Sequence, residues 1–179
     1  MKVVAICGSA RKGGNTEVLL TAVLEGAEKA GAETELITLC DKAIKMCDGC
    51  CYCDEKKSCM LNDDMDGIFA KMSSADAIIL GSPTYWDNMT GLMKNFFDRL
   101  NGFCIERPLK GKRVGVVAVG GGGEEHARFT ADAIRRFTEA QKMIFFRSMT
   151  AKAYKLAEIS GNREKMTEAK VLGEGIVHG

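Results

Sequence analysis

Five short apolar runs, at residues 3–7, 36–39, 77–80, 114–119 and 143–146, alternate with stretches in which apolar residues recur at helical spacing. That alternation leaves few folds open. Uninterrupted apolar strands suit a parallel sheet buried on both faces, and each return through a helix gives a right-handed crossover. The expected architecture is therefore α/β, a doubly wound, five-stranded parallel sheet with helices on both faces. At 179 residues, with no break in composition, one domain over 1–179 is expected.

The helices are expected from Thr16 to a stop at Gly31, from about Asn62, from Met89, from Glu124 and over about 162–172. The fourth carries Phe129, Ala133 and Phe137 at helical spacing. Asp63, Asp64 and Asp66 are expected to serve the second helix as first-turn acids complementing its dipole.

Ligands in such sheets sit outside the carboxyl ends of the strands, and three loops there carry unusual chemistry. The first, Gly8-Ser9-Ala10-Arg11-Lys12-Gly13-Gly14-Asn15-Thr16, is a glycine-rich strand-to-helix turn that aims N–H groups at one point, with Ser9, Arg11, Asn15 and Thr16 as further donors. A triphosphate loop is excluded because Gly14 and Asn15 stand where Lys and Ser/Thr are required, and Ala10 breaks the dinucleotide glycine order. A terminal monophosphate such as that of FMN fits; an ordinary βα turn capped by Asn15 or Thr16 is the bland alternative.

The second loop, Ser82-Pro83-Thr84-Tyr85-Trp86-Asp87-Asn88, offers polar groups to a heteroaromatic edge and rings to stack on it, or else a packed corner. The third opens with Gly120, Gly121 and Gly122, which let the backbone approach something flat. All three should converge on one site.

Of eight cysteines, Cys47, Cys50, Cys51, Cys53 and Cys59 fall in a loop at about 40–61 that has neither helical nor strand period. Without an export signal, metal or redox chemistry is the expected use. Cys47, Cys50, Cys53 and Cys59 read C-x2-C-x2-C-x5-C, a compact spacing that favours a 4Fe-4S cluster over paired zinc knuckles; Cys51 leaves the ligand choice open. Cys7, Cys40 and Cys104 lie near apolar segments and read as small hydrophobes.

Net charge is +1 with mixed signs, so neither nucleic acid nor a membrane is an expected partner, and the protein is expected in the cytoplasm. The two histidines, His126 and His178, have no partner motif and are expected at the surface.

The first loop, the Gly81-Ser82-Pro83-Thr84-Tyr85-Trp86 segment and the helix Leu92-Met93-Lys94-Asn95-Phe96-Phe97-Asp98-Arg99 together resemble the NADPH-dependent FMN reductase families of the flavodoxin-like fold. The cysteine spacing resembles that of the iron-sulfur flavoproteins. The resemblance implies strand order 2-1-3-4-5, non-covalent FMN, hydride transfer from NAD(P)H, and a homodimer or homotetramer. It carries phosphate binding onto Ser9, Arg11, Gly13, Asn15 and Thr16. Ring binding falls on Ser82, Pro83, Thr84, Tyr85, Trp86, Asn88 and the Gly120–Gly122 run.

The function expected is an FMN-dependent oxidoreductase or electron-transfer flavoprotein pairing FMN with a 4Fe-4S cluster, with a small molecule or a protein such as ferredoxin as redox partner. The cofactors carry the chemistry, so no catalytic side chain is expected. A cluster-free NAD(P)H-dependent FMN, quinone or azo reductase and a zinc-binding interaction module on the same scaffold are the alternatives.

Overall fold

The structure, a computed structural model, describes residues 1–179 apart from the side chain of Cys104. The expectation for Cys104 therefore lies outside the described residues. The chain runs β1 (Lys2–Cys7), α1 (Asn15–Lys29), β2 (Glu33–Thr38), α2 (Tyr52–Lys56), α3 (Met65–Ser74), β3 (Ala77–Pro83), α4 (Gly91–Cys104), β4 (Arg113–Gly120), α5 (Glu124–Ala140), β5 (Ile144–Lys152) and α6 (Arg163–His178). All strand pairs are parallel, in the order β2-β1-β3-β4-β5. The expected fold and strand order are both found.

Both sheet faces are buried, which is why the inner strands read as unbroken apolar runs. Val4, Ile6, Ile78, Leu80, Val114 and Val116 pack under α3, α4 and α5, with Met72, Phe96 and Ile134 among the partners. Val3, Ala5, Ile79, Val117 and Val119 pack under α1 and α6, against Leu20, Val23 and Leu172.

α1 and α6 lie in backbone contact. A Cβ built on Gly173 would fall 1.8 Å from the Val23 carbonyl oxygen, and one on Gly26 would fall 2.1 Å from that of Lys170. Gly173 belongs to α6, which extends past the expected end at 172 to His178.

Two expectations need correction, those for β5 and Asp63. β5 runs on to Lys152 rather than stopping at 146, because it is an edge strand with Arg147 and Ser148 exposed and so lacks the doubly buried signature. Phe129 is 57% exposed, since the buried face of α5 is formed by Ala127, Thr130, Ala131, Ile134 and Thr138. Asp63 does more than cap: besides accepting from the Met65 N–H (3.0 Å), it forms a buried ion pair with Arg99 of α4.

Among the described residues, no helix is long and apolar enough to cross a membrane.

Candidate functional site

Strand order reverses between β1 and β3, so the loops leaving them diverge and open a crevice there. The crossing is tight: Gly8 N–H donates to the Gly81 carbonyl (2.8 Å), and a Cβ on Gly8 would lie 2.8 Å from Met93 Cβ. Thr90, the N-cap of α4, donates to the Gly8 carbonyl (2.6 Å) and accepts from the Met93 N–H (3.2 Å).

Ser9, Arg11, Gly14, Asn15 and Thr16 from the first loop meet Pro83, Thr84 and Tyr85 from the second and Val119, Gly121 and Gly122 from the third around one cavity of about 470 Å³. That size suits a small-molecule ligand. Gly14 is the N-cap of α1 and supplies no side-chain cap, so neither Asn15 nor Thr16 fills that role. The first N–H groups of α1 lack intrahelical partners, and they carry the positive end of the helix dipole. The Ser9 hydroxyl accepts from the Arg11 N–H (3.1 Å) and shapes the loop.

The fourth wall was not legible as a site residue in the sequence. Tyr154, just beyond β5, also lines the cavity. Its carbonyl accepts from Arg11 Nη1 (3.1 Å), the Lys155 carbonyl accepts from Asn15 Nδ2 (2.8 Å), and Asn15 Oδ1 accepts from the Ile159 N–H (3.0 Å). Asn15 is thus a tie between the first loop and the segment after β5. Glu158 accepts from the Tyr154 and Lys155 N–H groups, both 2.8 Å, and those two bonds hold its carboxyl below the usual carboxylate range.

Several residues named from the sequence lie elsewhere. Ser82 is fully buried, donating to the Pro83 carbonyl and accepting from the Thr90 N–H. Asn88 closes a tight turn with Tyr85 through 2.9 and 3.1 Å backbone bonds and accepts from its neighbour Met89. Gly13 sits at φ +62°, its N–H donating to Glu17.

Trp86 and Asp87, both at positive φ, form the tip of the Tyr85 turn in the manner of a type I′ hairpin. Trp86 is fully exposed and, with Gly120, lines an adjoining open hollow rather than the main cavity. His126 also lines that hollow, half-exposed, with Nδ1 2.5 Å from Asp87 Oδ1. His178 is exposed near the end of α6.

Some 40 residues along, Cys47, Cys50, Cys53 and Cys59 all line a second cavity, together with Cys51, Arg99, Asn101 and Gly102. Among the described residues, no three His, Cys, Asp or Glu side chains form a group that could hold a single metal ion. α4 forms the wall: Arg99 Nη2 donates to Cys59 Sγ (3.5 Å), and Asn101 Nδ2 to Cys53 Sγ (3.8 Å). A Cβ on Gly102 would lie 3.1 Å from Cys59 Cβ and 3.4 Å from Cys53 Cβ. Burial, then Asp54, then the neighbouring Cys59 and Cys47 thiols push the Cys53 thiol up. Cys7 is fully buried, its thiol pushed up to about 12 chiefly by desolvation, and acts as the expected inert hydrophobe; Cys40 is half-buried.

The model of the NADPH-dependent FMN reductase family matches residues 1–155. The chain belongs to this family. As a member of the NADPH-dependent FMN reductase family it is a flavodoxin-like flavoprotein and an oxidoreductase. It is 40% identical over 144 residues to an iron-sulfur flavoprotein of Methanocaldococcus jannaschii, an alignment spanning 80% of this chain and 75% of that one. Among solved structures, a flavone reductase superposes with TM-score 0.80 at 21% identity, covering 99% of this chain and 62% of the other. A flavodoxin from the domain Archaea superposes at TM-score 0.66 and 19% identity, covering 99% and 97%. At these identities the superpositions speak for the fold alone.

Proposed function

We propose that this family member binds FMN in the three-loop cavity and a 4Fe-4S cluster in the cysteine cavity, and moves electrons between a two-electron donor and one-electron acceptors. One observation carries the reading: an uncapped helix N-terminus, a guanidinium and an orphaned buried hydroxyl face the same hollow. The hydroxyl is Thr84 Oγ1, which is buried without a hydrogen-bond partner. A buried polar atom of this kind costs stability unless something satisfies it.

The residues fit FMN group by group. The open end of α1 with Arg11, Ser9 and Thr16 suits the phosphate; Asn15 holds the wall behind it. Thr84 suits a polar edge of the ring system, Gly121 and Gly122 leave the backbone bare beside it, and Pro83, Tyr85 and Tyr154 flank it. Trp86 and Gly120, with the adjoining hollow, offer room for a planar co-substrate such as NAD(P)H. The cysteine cavity fits a cluster in that four thiols in a compact spacing line it and two are already met by N–H donors. Bound there, FMN supplies two-electron acceptance and the cluster one-electron transfer.

On this reading residues 1–179 are a single FMN-binding domain, and the protein works in the cytoplasm, where reduced thiols persist. Ferredoxin is the fitting protein partner. Trp86, bare beside the adjoining hollow, supplies an aromatic contact for a homodimer or homotetramer.

An anaerobic visible spectrum with iron and sulfide counts tests the whole. Flavin bands with broad iron-sulfur absorption are expected. Flavin bands alone would leave a cluster-free reductase, and a colourless metal-bearing protein would leave the zinc module. A narrower expectation concerns Arg11→Ala, which removes a charge-assisted contact of about 1.5–3 kcal/mol and should weaken FMN binding roughly tenfold or more. Arg11 is exposed and loses only one surface hydrogen bond, to the Tyr154 carbonyl, so the melting temperature of the flavin-free protein should fall only slightly. FMN titration by fluorescence quenching checks it, and unaltered affinity would remove Arg11 from the site. Asn15→Ala is a poorer test, because it removes two bonds to the loop after β5 where Arg11→Ala removes one.

A further inference from the structure

Cys47, Cys50, Cys53 and Cys59 do not meet equivalent surroundings. Asn101 and Arg99, both on α4, donate N–H groups to Cys53 Sγ and Cys59 Sγ. Cys50 Sγ lies 3.8 Å from Met60 Sδ, which is no more than a weak acceptor. Arg99 is 1% exposed and held from three sides: two oxygens of Asp63, the Lys45 carbonyl (2.8 Å) and Cys59. Its Nε remains buried and unpartnered.

Among the described residues, Arg99 is the one cationic side chain lining a cavity that also presents Asp48, Asp54 and Asp98. Gly102 completes the wall, its missing Cβ letting Cys53 and Cys59 sit against the helix.

We propose that Arg99 and Asn101 are positioning residues that fix Cys59 and Cys53 and raise the reduction potential of the group those thiolates hold. The inference rests on the cluster reading above. Its physics is simple: N–H donors draw electron density from ligating sulfurs, and a buried positive charge favours the form that has gained an electron. Asp63 opposes Arg99's charge but fixes the guanidinium's aim, so the effect on Cys59 is directional.

The test uses the full chain, reconstituted anaerobically with iron and sulfide. It combines iron content with a redox titration followed by electron paramagnetic resonance. Asn101 is exposed, so Asn101→Ala should fold and load iron as the wild type does, yet titrate at a lower midpoint potential. Arg99→Lys keeps the charge but loses the two-pronged hold on Asp63; it should also titrate lower, with a broadened signal from a less ordered Cys59. Equal midpoints in wild type and Asn101→Ala, both fully loaded, would overturn the assignment for Asn101. Equal midpoints in a loaded Arg99→Lys would overturn it for Arg99. A wild type that takes up flavin but neither iron nor sulfide would overturn the cluster reading itself, and this inference with it.

Discussion

Asp63→Ala should lower the free energy of unfolding by about 3–5 kcal/mol, because it strands Arg99, 1% exposed, without its counter-ion. For a chain of this size that corresponds to a fall in melting temperature of roughly 6–20 °C, measurable by calorimetry. A fall below about 2 °C would mean that the guanidinium is solvated in the native state. The pair also gives stability a pH dependence of known sign. Burial alone would raise the Asp63 carboxyl, but the Arg99 bond and the Lys45 and Met65 N–H groups outweigh it and hold the carboxyl below its ordinary value. The contribution is therefore complete above the unfolded aspartate value of about 3.9 and is lost as pH falls through the lower folded one. The gap in melting temperature between wild type and Asp63→Asn should be constant near neutrality and close in acid.

Gly173→Ala is the second large effect. A methyl group there would overlap the Val23 carbonyl at 1.8 Å, and backbone cannot rotate away as a side chain can. Overpacking of this kind typically costs about 1–3 kcal/mol, and contact with fixed backbone argues for the upper end. The gain in helix propensity of about 1 kcal/mol from replacing glycine offsets part of it. A net loss of roughly 2 kcal/mol is expected, and Gly26→Ala on the facing helix should behave alike, since its methyl would overlap the Lys170 carbonyl at 2.1 Å. Urea denaturation of the two variants checks this. A stabilised Gly173→Ala would show that α1 and α6 stand further apart than described.

What could be read from the sequence followed from burial. β1, β3 and β4 are covered on both faces, so their apolar runs announce them. β2 and β5 are edges, half-exposed and polar in part, so their limits were blurred. That blur carried into the site: with β5 ended at 146, Tyr154 did not appear as the residue leaving a fourth strand. Extending the strand to 152 would have exposed it.

The Arg99 pairing had a weaker local sign. Phe96, Arg99, Leu100 and Phe103 fall on one helical stripe, and a charge on an apolar stripe demands a partner. Which partner it takes is a tertiary fact. Asn15 lines the cavity, but its bonding had no local sign, because its partners lie 140 and 144 positions away.

Those distant bonds bear on how the protein is made. Arg11 and Asn15 leave the ribosome well before the groups that orient them, at Tyr154, Lys155 and Ile159, which lie 140 to 144 positions further along. The nascent chain can wind its early helices as they emerge, but the closing of so long a span waits until residues 154–159 have emerged as well. A chain stopped before residue 154 would therefore leave the opening loop without its brace, and on the proposed reading it would hold FMN more weakly.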